Sequence, residues 1–236
     1  MFLCLKFLSL SKIISSMILS SISYKGGVGK STISQNLAVL FASKKYRVCI
    51  VDADESSVTV KWSGLRMEEE IKPTIQVVGM TDPKAIIGTI KQLYEDYDII
   101  IIDSPPSYQP ISAKIMLISH IILFPIKPTG KSELWTASDI LERYQETQAL
   151  KDDKTIARFV VNDYDSRPSF HKSFVEVLKE IGEEYNVPVM NTLIHHRTIF
   201  GEANSQGKGV IEENNEKASS EIKALGKEIL KLYKQI

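Results

Sequence analysis

Apolar positions along the chain follow two rhythms. Short unbroken runs recur at Ile18–Ser23, Arg47–Val51, Ile75–Val78, Ile118–Pro125, Ile156–Val161 and Val187–Ile194. The densest is a row of isoleucines, Ile99 to Ile102, bracketed by Asp98 and Asp103. Runs of this length without polar alternation predict strands covered on both faces. Between them, apolar residues fall three and four apart. Ser31–Ser43 sets Ile33, Leu37, Leu40 and Phe41 on one helical face. Residues 56–70 read as a helix ending in the solvated run Glu68, Glu69, Glu70, and Pro73 breaks the chain before the next strand. Pro83–Tyr94 reads as a helix entered through Asp82, an N-cap followed by Pro in the first turn. Further helices are expected at Ser132–Gln148, between the last two strands, and at Glu216–Tyr233.

Strands alternating with helices predict βαβ units and a mainly parallel sheet. Right-handed crossovers place helices on both of its faces, and functional loops then gather at the carboxyl ends of the strands. No repeat or long linker divides residues 17–236, which are expected to form one domain. Residues 1–16 are apolar, but Lys6 and Lys12 interrupt them, leaving no apolar stretch of about 18 residues. No small-x-small cleavage site follows. These residues read as an extension outside the domain, as residues upstream of a start at Met17, or as a membrane-associating segment.

Composition narrows the classes. With 43% hydrophobic and 25% charged residues, the chain is neither a disordered tail, a collagen nor a coiled coil. Lys plus Arg total 29 and Asp plus Glu total 29. Zero net charge excludes coating nucleic acid by bulk charge and leaves only a local basic patch. Cys4 and Cys49 cannot build a disulfide framework or a four-thiolate metal site within one chain. A reducing cytoplasm fits this cysteine usage.

The chemistry concentrates in residues 24–32: Tyr24, Lys25, Gly26, Gly27, Val28, Gly29, Lys30, Ser31, Thr32. A glycine-rich loop between a strand and a helix is the setting of a phosphate loop. Its glycines let several N–H groups surround one anion, and the helix N-terminus adds roughly half a positive charge. Lys30 would neutralise phosphate charge and the Ser31 hydroxyl would reach Mg²⁺. Asp52 and Asp54 close the second strand, and alternate residues there point the same way. Asp103 closes the isoleucine strand, where a carboxylate holds a water of Mg²⁺. The fold class is therefore α/β, a P-loop NTPase three-layer sandwich.

The loop Lys25-Gly26-Gly27-Val28-Gly29-Lys30-Ser31 carries a second lysine at its head, and Tyr24 stands where the general motif has glycine. This variant resembles the ParA/MinD family of deviant Walker A ATPases, and residues 17–236 follow that family's order of motifs. Asp103-Ser104-Pro105-Pro106 is similar to its D-x-P-P, whereas Glu55 and Ser56 replace the usual Pro and Gln after Asp54. Trp62, Pro125, the segment Thr192–Arg197 and Gly201, Glu202, Ala203 resemble the short ParA proteins. The resemblance implies ATP and Mg²⁺ as cofactors and slow hydrolysis. It also implies an ATP-driven homodimer in which Lys25 reaches the partner's phosphates. Asp52 would support Mg²⁺, Asp54 would orient the attacking water, and Asn162 would contact adenine or simply cap a turn. The implied partners are nonspecific DNA, with Arg197 and Lys208 near the contact region, and a ParB-like centromere-binding protein that stimulates hydrolysis. Lys223, Lys227 and Lys231 form another candidate stripe. The implied place is the cytoplasm, on the nucleoid. The alternatives are a MinD-like membrane-surface ATPase and a nucleotide-dependent interaction protein with negligible turnover. The stripe Ile222, Leu225, Ile229, Leu232 favours a packed last helix over a membrane helix.

Overall fold

A computed structural model describes residues 16–151 and 153–236, so the segment 1–15 of the expected extension lies outside the described residues. Six strands form one sheet: β1 (Met17–Ser21), β2 (Val48–Asp52), β3 (Gln76–Gly79), β4 (Ile99–Asp103), β5 (Ile121–Ile126) and β6 (Ile156–Val161). Their order is β3-β2-β4-β1-β5-β6, and every pairing is parallel. The helices are α1 (Lys30–Ser43), α2 (Val58–Glu68), α3 (Ile86–Asp96), α4 (Pro110–Ile118), α5 (Lys131–Gln148), α6 (Ser169–Glu184), α7 (Ile199–Ser205) and α8 (Glu216–Tyr233), with a 3-10 turn at Val210–Glu212.

The isoleucine row divides its side chains between the two faces. Ile99 and Ile101 join a layer with Leu37, Leu40 and Phe41 of α1 and Ile222, Leu225 and Ile229 of α8. Ile100 and Ile102 join the opposite layer, with Ile90, Ile115, Leu141 and Leu178 from α3, α4, α5 and α6. Burial of each such side chain contributes about 1.5–3 kcal/mol. The apolar stripe of α8 is thereby spent on the core, since Ile222, Leu225 and Ile229 are all 0% exposed. Among the described residues, no helix is long and apolar enough to cross a membrane.

Register fixes the site. Ser21 and Asp52 both pair with Asp103, so three central strands end at one level. The loop after β1 and the carboxylates of β2 and β4 therefore meet on the carboxyl edge.

Four elements depart from the sequence expectation, one of them α7, where no helix is expected. The segment Val187–Ile194 is no strand. It touches the sheet edge through an isolated bridge at Phe159–Val189, and a second bridge, Tyr164–His195, follows just after it. Pro188 has no N–H for a ladder, and the Glu228 carboxylate captures the N–H groups of Asn191 and Thr192 at 3.0 and 2.9 Å. Helix α4 went unseen because its apolar residues run on toward β5. Helix α3 starts at Ile86, later than Asp82 suggests, because Asp82 organises a preceding turn, its Oδ1 accepting from the Lys84 N–H at 2.8 Å.

Candidate nucleotide site

The chain leaves β1 into a loop whose shape glycine makes possible. Gly27 and Gly29 adopt φ of 75° and 101°. Gly29 also lies directly beneath Asn162, where a Cβ would come 2.1 Å from Nδ2. Asn162 Nδ2 donates to the Val28 carbonyl at 2.9 Å. The end of β6 thus braces the phosphate loop, which is where the structure places the residue expected near adenine. Helix α1 opens with no capping side chain and no acid in its first turn, so its first N–H groups remain available to an anion. Lys30 is 6% exposed, with Nζ 3.4 Å from the Lys25 carbonyl. Burial lowers its pKa, and the charges of Asp103 and Asp54 oppose that shift.

Asp103 is 1% exposed. Its Oδ2 accepts from the Thr59 hydroxyl at 2.9 Å, while Oδ1 is buried without a partner. Burial pushes its pKa up to about 7, tempered by the Ser31 and Thr59 hydroxyls and by Lys30. Ser31 stands close enough to soften the shift, yet Oδ1 stays bare. Asp52, also 1% exposed, accepts three backbone N–H groups: Asp54 at 3.2 Å on Oδ1, and Thr59 and Val60 at 3.0 Å each on Oδ2. Burial raises its pKa against those three bonds. Asp52 thus ties the first turn of α2 to the end of β2, and only its remaining lone pairs could serve a metal-bound water.

Asp54 is half-buried beside them and accepts the Ser56 N–H at 2.9 Å. The loop carrying Glu55 and Ser56 then enters α2 through Ser57 in the left-handed region at φ 53°, a strain of roughly 1 kcal/mol. Lys25 Nζ bonds the carboxylate of Glu133 in the first turn of α5, and Thr129 Oγ1 donates to the same carboxylate at 2.7 Å. Tyr24 packs edge-on against Tyr108, with ring centroids 5.3 Å apart, on the loop after Asp103.

Arg197 and Lys208 lie outside this cluster. Arg197 pairs with Glu221, and Lys208 Nζ lies 3.0 Å from Glu213 Oε1. His195 and His196 face different acids, Glu221 and Asp163. Sequence reasoning missed Glu133, Thr59 and Gln35.

The donor set fits a magnesium nucleotide. An uncapped helix start, a positive-φ glycine loop and a buried ammonium suit phosphates. The bare, buried oxygen of Asp103 suits a hydrated divalent cation.

Comparisons with known proteins agree with this geometry. The chain is 25% identical over 210 residues to "Maintenance of carboxysome distribution protein A" of Halothiobacillus neapolitanus, covering 87% of this chain and 93% of that one. It is 24% identical over 249 residues to "Chromosome partitioning protein ParA" of Myxococcus xanthus, covering 88% and 85%. Among solved structures, the septum site-determining protein MinD of Pyrococcus horikoshii, complexed with Mg-ADP, superposes with a TM-score of 0.69 at 21% identity, covering 91% and 96%. The sequence model of the CobQ/CobB/MinD/ParA nucleotide binding domain matches residues 19–210, from β1 through the phosphate loop and all three aspartates, and the chain belongs to that family.

Proposed function

We propose that the chain is a Mg²⁺-dependent ATPase that segregates DNA. In this reading it binds ATP, pairs with a second copy and holds duplex DNA without sequence preference. A ParB-like centromere-binding partner then stimulates slow hydrolysis and release. The observation that carries the proposal is a glycine loop with a lysine at each end, Lys25 and Lys30, of which Lys30 lies within the field of the buried Asp103, whose Oδ1 has no hydrogen-bond partner. The names of the partitioning and carboxysome-distribution relatives support it, as does the Mg-ADP held by the MinD neighbour.

The residues divide the work. The N–H groups from Gly26 to Thr32 and the Lys30 ammonium bind phosphates. Ser31 and Asp103 would hold Mg²⁺, whose charge offsets that on the terminal phosphate. Asp52 fixes the loop that carries Asp54, and Asp54 orients the attacking water. Lys25 leaves Glu133 to reach the partner's phosphates. Asn162 holds the loop floor on the side where the base would lie. Arg197 and Lys208 would contact DNA by exchanging Glu221 and Glu213 for phosphates, each such contact steepening the salt dependence by about 0.9 log unit per log unit of salt. The place of action would be the cytoplasmic nucleoid.

A second reading is positioning of a protein cargo on the DNA, which the carboxysome-distribution relative favours. A mobility shift with nonspecific duplex over a salt series tests what both share. Binding with Mg-ATP and none with ADP is expected. Equal binding with and without ATP, or ATP-dependent sedimentation with liposomes in place of DNA, would overturn it.

A further inference from the structure

Asp103 ends a one-way chain of hydrogen bonds that runs inward from the half-buried Asn204. Asn204 Nδ2 donates to Gln35 Oε1. Gln35 Nε2 donates to Thr59 Oγ1 at 3.1 Å, and the Thr59 hydroxyl donates to Asp103 Oδ2 at 2.9 Å. The four residues come from α7, α1, α2 and β4. Gln35 is 1% exposed and Thr59 0%, so water does not substitute for the two inner links, Gln35 to Thr59 and Thr59 to Asp103.

With Asp103 ionised, the form that holds a cation, the direction of the chain is set. Thr59 has one hydroxyl proton. With the Gln35 amide reversed, its oxygen would claim that proton, and Asp103 Oδ2 would join Oδ1 as a buried acceptor without a donor. Two bare oxygens on one buried carboxylate cost far more than one. In the order observed, every donor points toward Asp103 and each bond polarises the next.

The chain ends on a surface with its own anchors. Beyond Asn204, Gly207 sits against the α2 backbone at φ 71°, where a Cβ would come 2.6 Å from the Arg66 nitrogen. The Lys208 carbonyl accepts from Trp62 Nε1 at 3.2 Å. Helix α2 therefore touches the Asp103 carboxylate at its first turn and carries the 207–208 segment on its side.

We propose that Asn204, Gln35 and Thr59 are positioning residues that hold the Asp103 carboxylate with Oδ1 turned toward a divalent cation, and that they couple occupancy of that position to α7. The inference rests on the nucleotide-site reading for the identity of the ligand. A cation drawing charge from Asp103 weakens its acceptance from Thr59, and the slack passes through Gln35 to Asn204.

The test uses the full chain, a fluorescent ATP analogue and MgCl₂. Thr59→Val keeps the shape and deletes the hydroxyl; Thr59→Ser restores it. Thr59→Val is expected to raise the half-saturating Mg²⁺ about tenfold, the worth of one hydrogen bond to a charged group, with Ser restoring it. Asn204→Ala is expected to abolish any Mg²⁺-dependent change in hydrogen exchange of the amides 199–205. In nucleotide-free protein, Thr59→Val should also speed exchange at those amides. An unchanged Mg²⁺ requirement in Thr59→Val, or exchange at 199–205 indifferent to Thr59→Val, overturns the relay. Failure of the parent protein to bind the analogue overturns the ATPase reading instead, and the nucleotide-free exchange then decides the relay alone.

Discussion

The Lys25 ammonium is bonded to the Glu133 carboxylate of its own chain. Glu133 is nearly enclosed, its side chain 4% exposed against 43% for Lys25. The lysine is thus half free and the acid fixed, an arrangement that opposes any reach toward a second subunit. A pair of this exposure is worth about 1 kcal/mol. Glu133→Gln removes the charge while keeping the shape, so the ATP concentration for half-maximal dimerisation should fall about fivefold. Lys25→Ala should prevent dimerisation with ATP. Sedimentation velocity across an ATP series reads both, and an unchanged ATP requirement in Glu133→Gln would show that Lys25 acts from its place beside the acid.

Lys30 presents a conflict between function and stability. Its ammonium is buried with a single backbone carbonyl at 3.4 Å as partner, and burial lowers its pKa. A group whose charged form folding disfavours is a cost to the nucleotide-free protein at neutral pH. Lys30→Met should therefore abolish binding of the fluorescent nucleotide and at the same time raise the melting temperature by about 2–4 °C. A variant that both melts earlier and retains binding would contradict the assignment of Lys30 to the phosphates.

Arg66 carries a different kind of energy. It is 2% exposed and its guanidinium is fully used. It donates to Glu212 Oε2 at 2.8 Å, to Gly207 O at 3.0 Å and to Pro73 O at 2.9 and 3.1 Å, with Glu212 Oε1 as the second half of the fork. It also lies over the Trp62 ring at 5.5 Å. Removing one partner of such a buried pair leaves the other uncompensated. Arg66→Ala should destabilise by about 3–5 kcal/mol in urea unfolding. Arg66→Lys should recover less than half of that, because an ammonium cannot reproduce the planar fork. A loss under about 1 kcal/mol for Arg66→Ala would show that the 207–212 segment is held by other contacts.

These cases mark what could be read from the chain order. Ile99–Ile102 and Gly26–Ser31 were legible because their signals are contiguous: strand burial and loop chemistry are both written in neighbouring residues. Helix α4 was not, because Ile115, Met116 and Ile118 merge into β5 with only Ser119 and His120 between them. Val187–Ile194 misled for the opposite reason, being apolar like a strand while Pro188 and the remote Glu228 take its backbone elsewhere. Thr59 lies 44 residues from Asp103, Glu133 108 from Lys25, and Asn204 169 from Gln35. Only the fold brings such partners together, and no local pattern announces them.

His120 makes the pH dependence testable. Its Nδ1 accepts the Ile18 N–H at 2.9 Å, so the ring is neutral at that nitrogen, and it packs between Tyr94 and Tyr233. Burial lowers its pKa, as does the nearby charge of Lys151, with Asp153 opposing. The unfolded chain binds a proton near pH 6.5, whereas the folded chain resists it to lower pH. Between those two points the unfolded state holds more protons, so stability from this group is complete above about 6.5 and is lost as the pH falls. Asp103 has the opposite slope: its pKa is raised to about 7, so the folded state holds a proton that the unfolded state has released, and its share of stability falls as pH rises from about 4 to 7. The two slopes overlap in the parent protein. His120→Asn separates them, since the Asn carbonyl can accept the Ile18 N–H and cannot titrate. Chemical unfolding of both proteins from pH 8 to 5 should show the parent's advantage over His120→Asn shrinking on acidification, while Asp103 cancels in the difference. A difference independent of pH would mean that His120 takes up its proton in the folded protein as readily as in the unfolded chain.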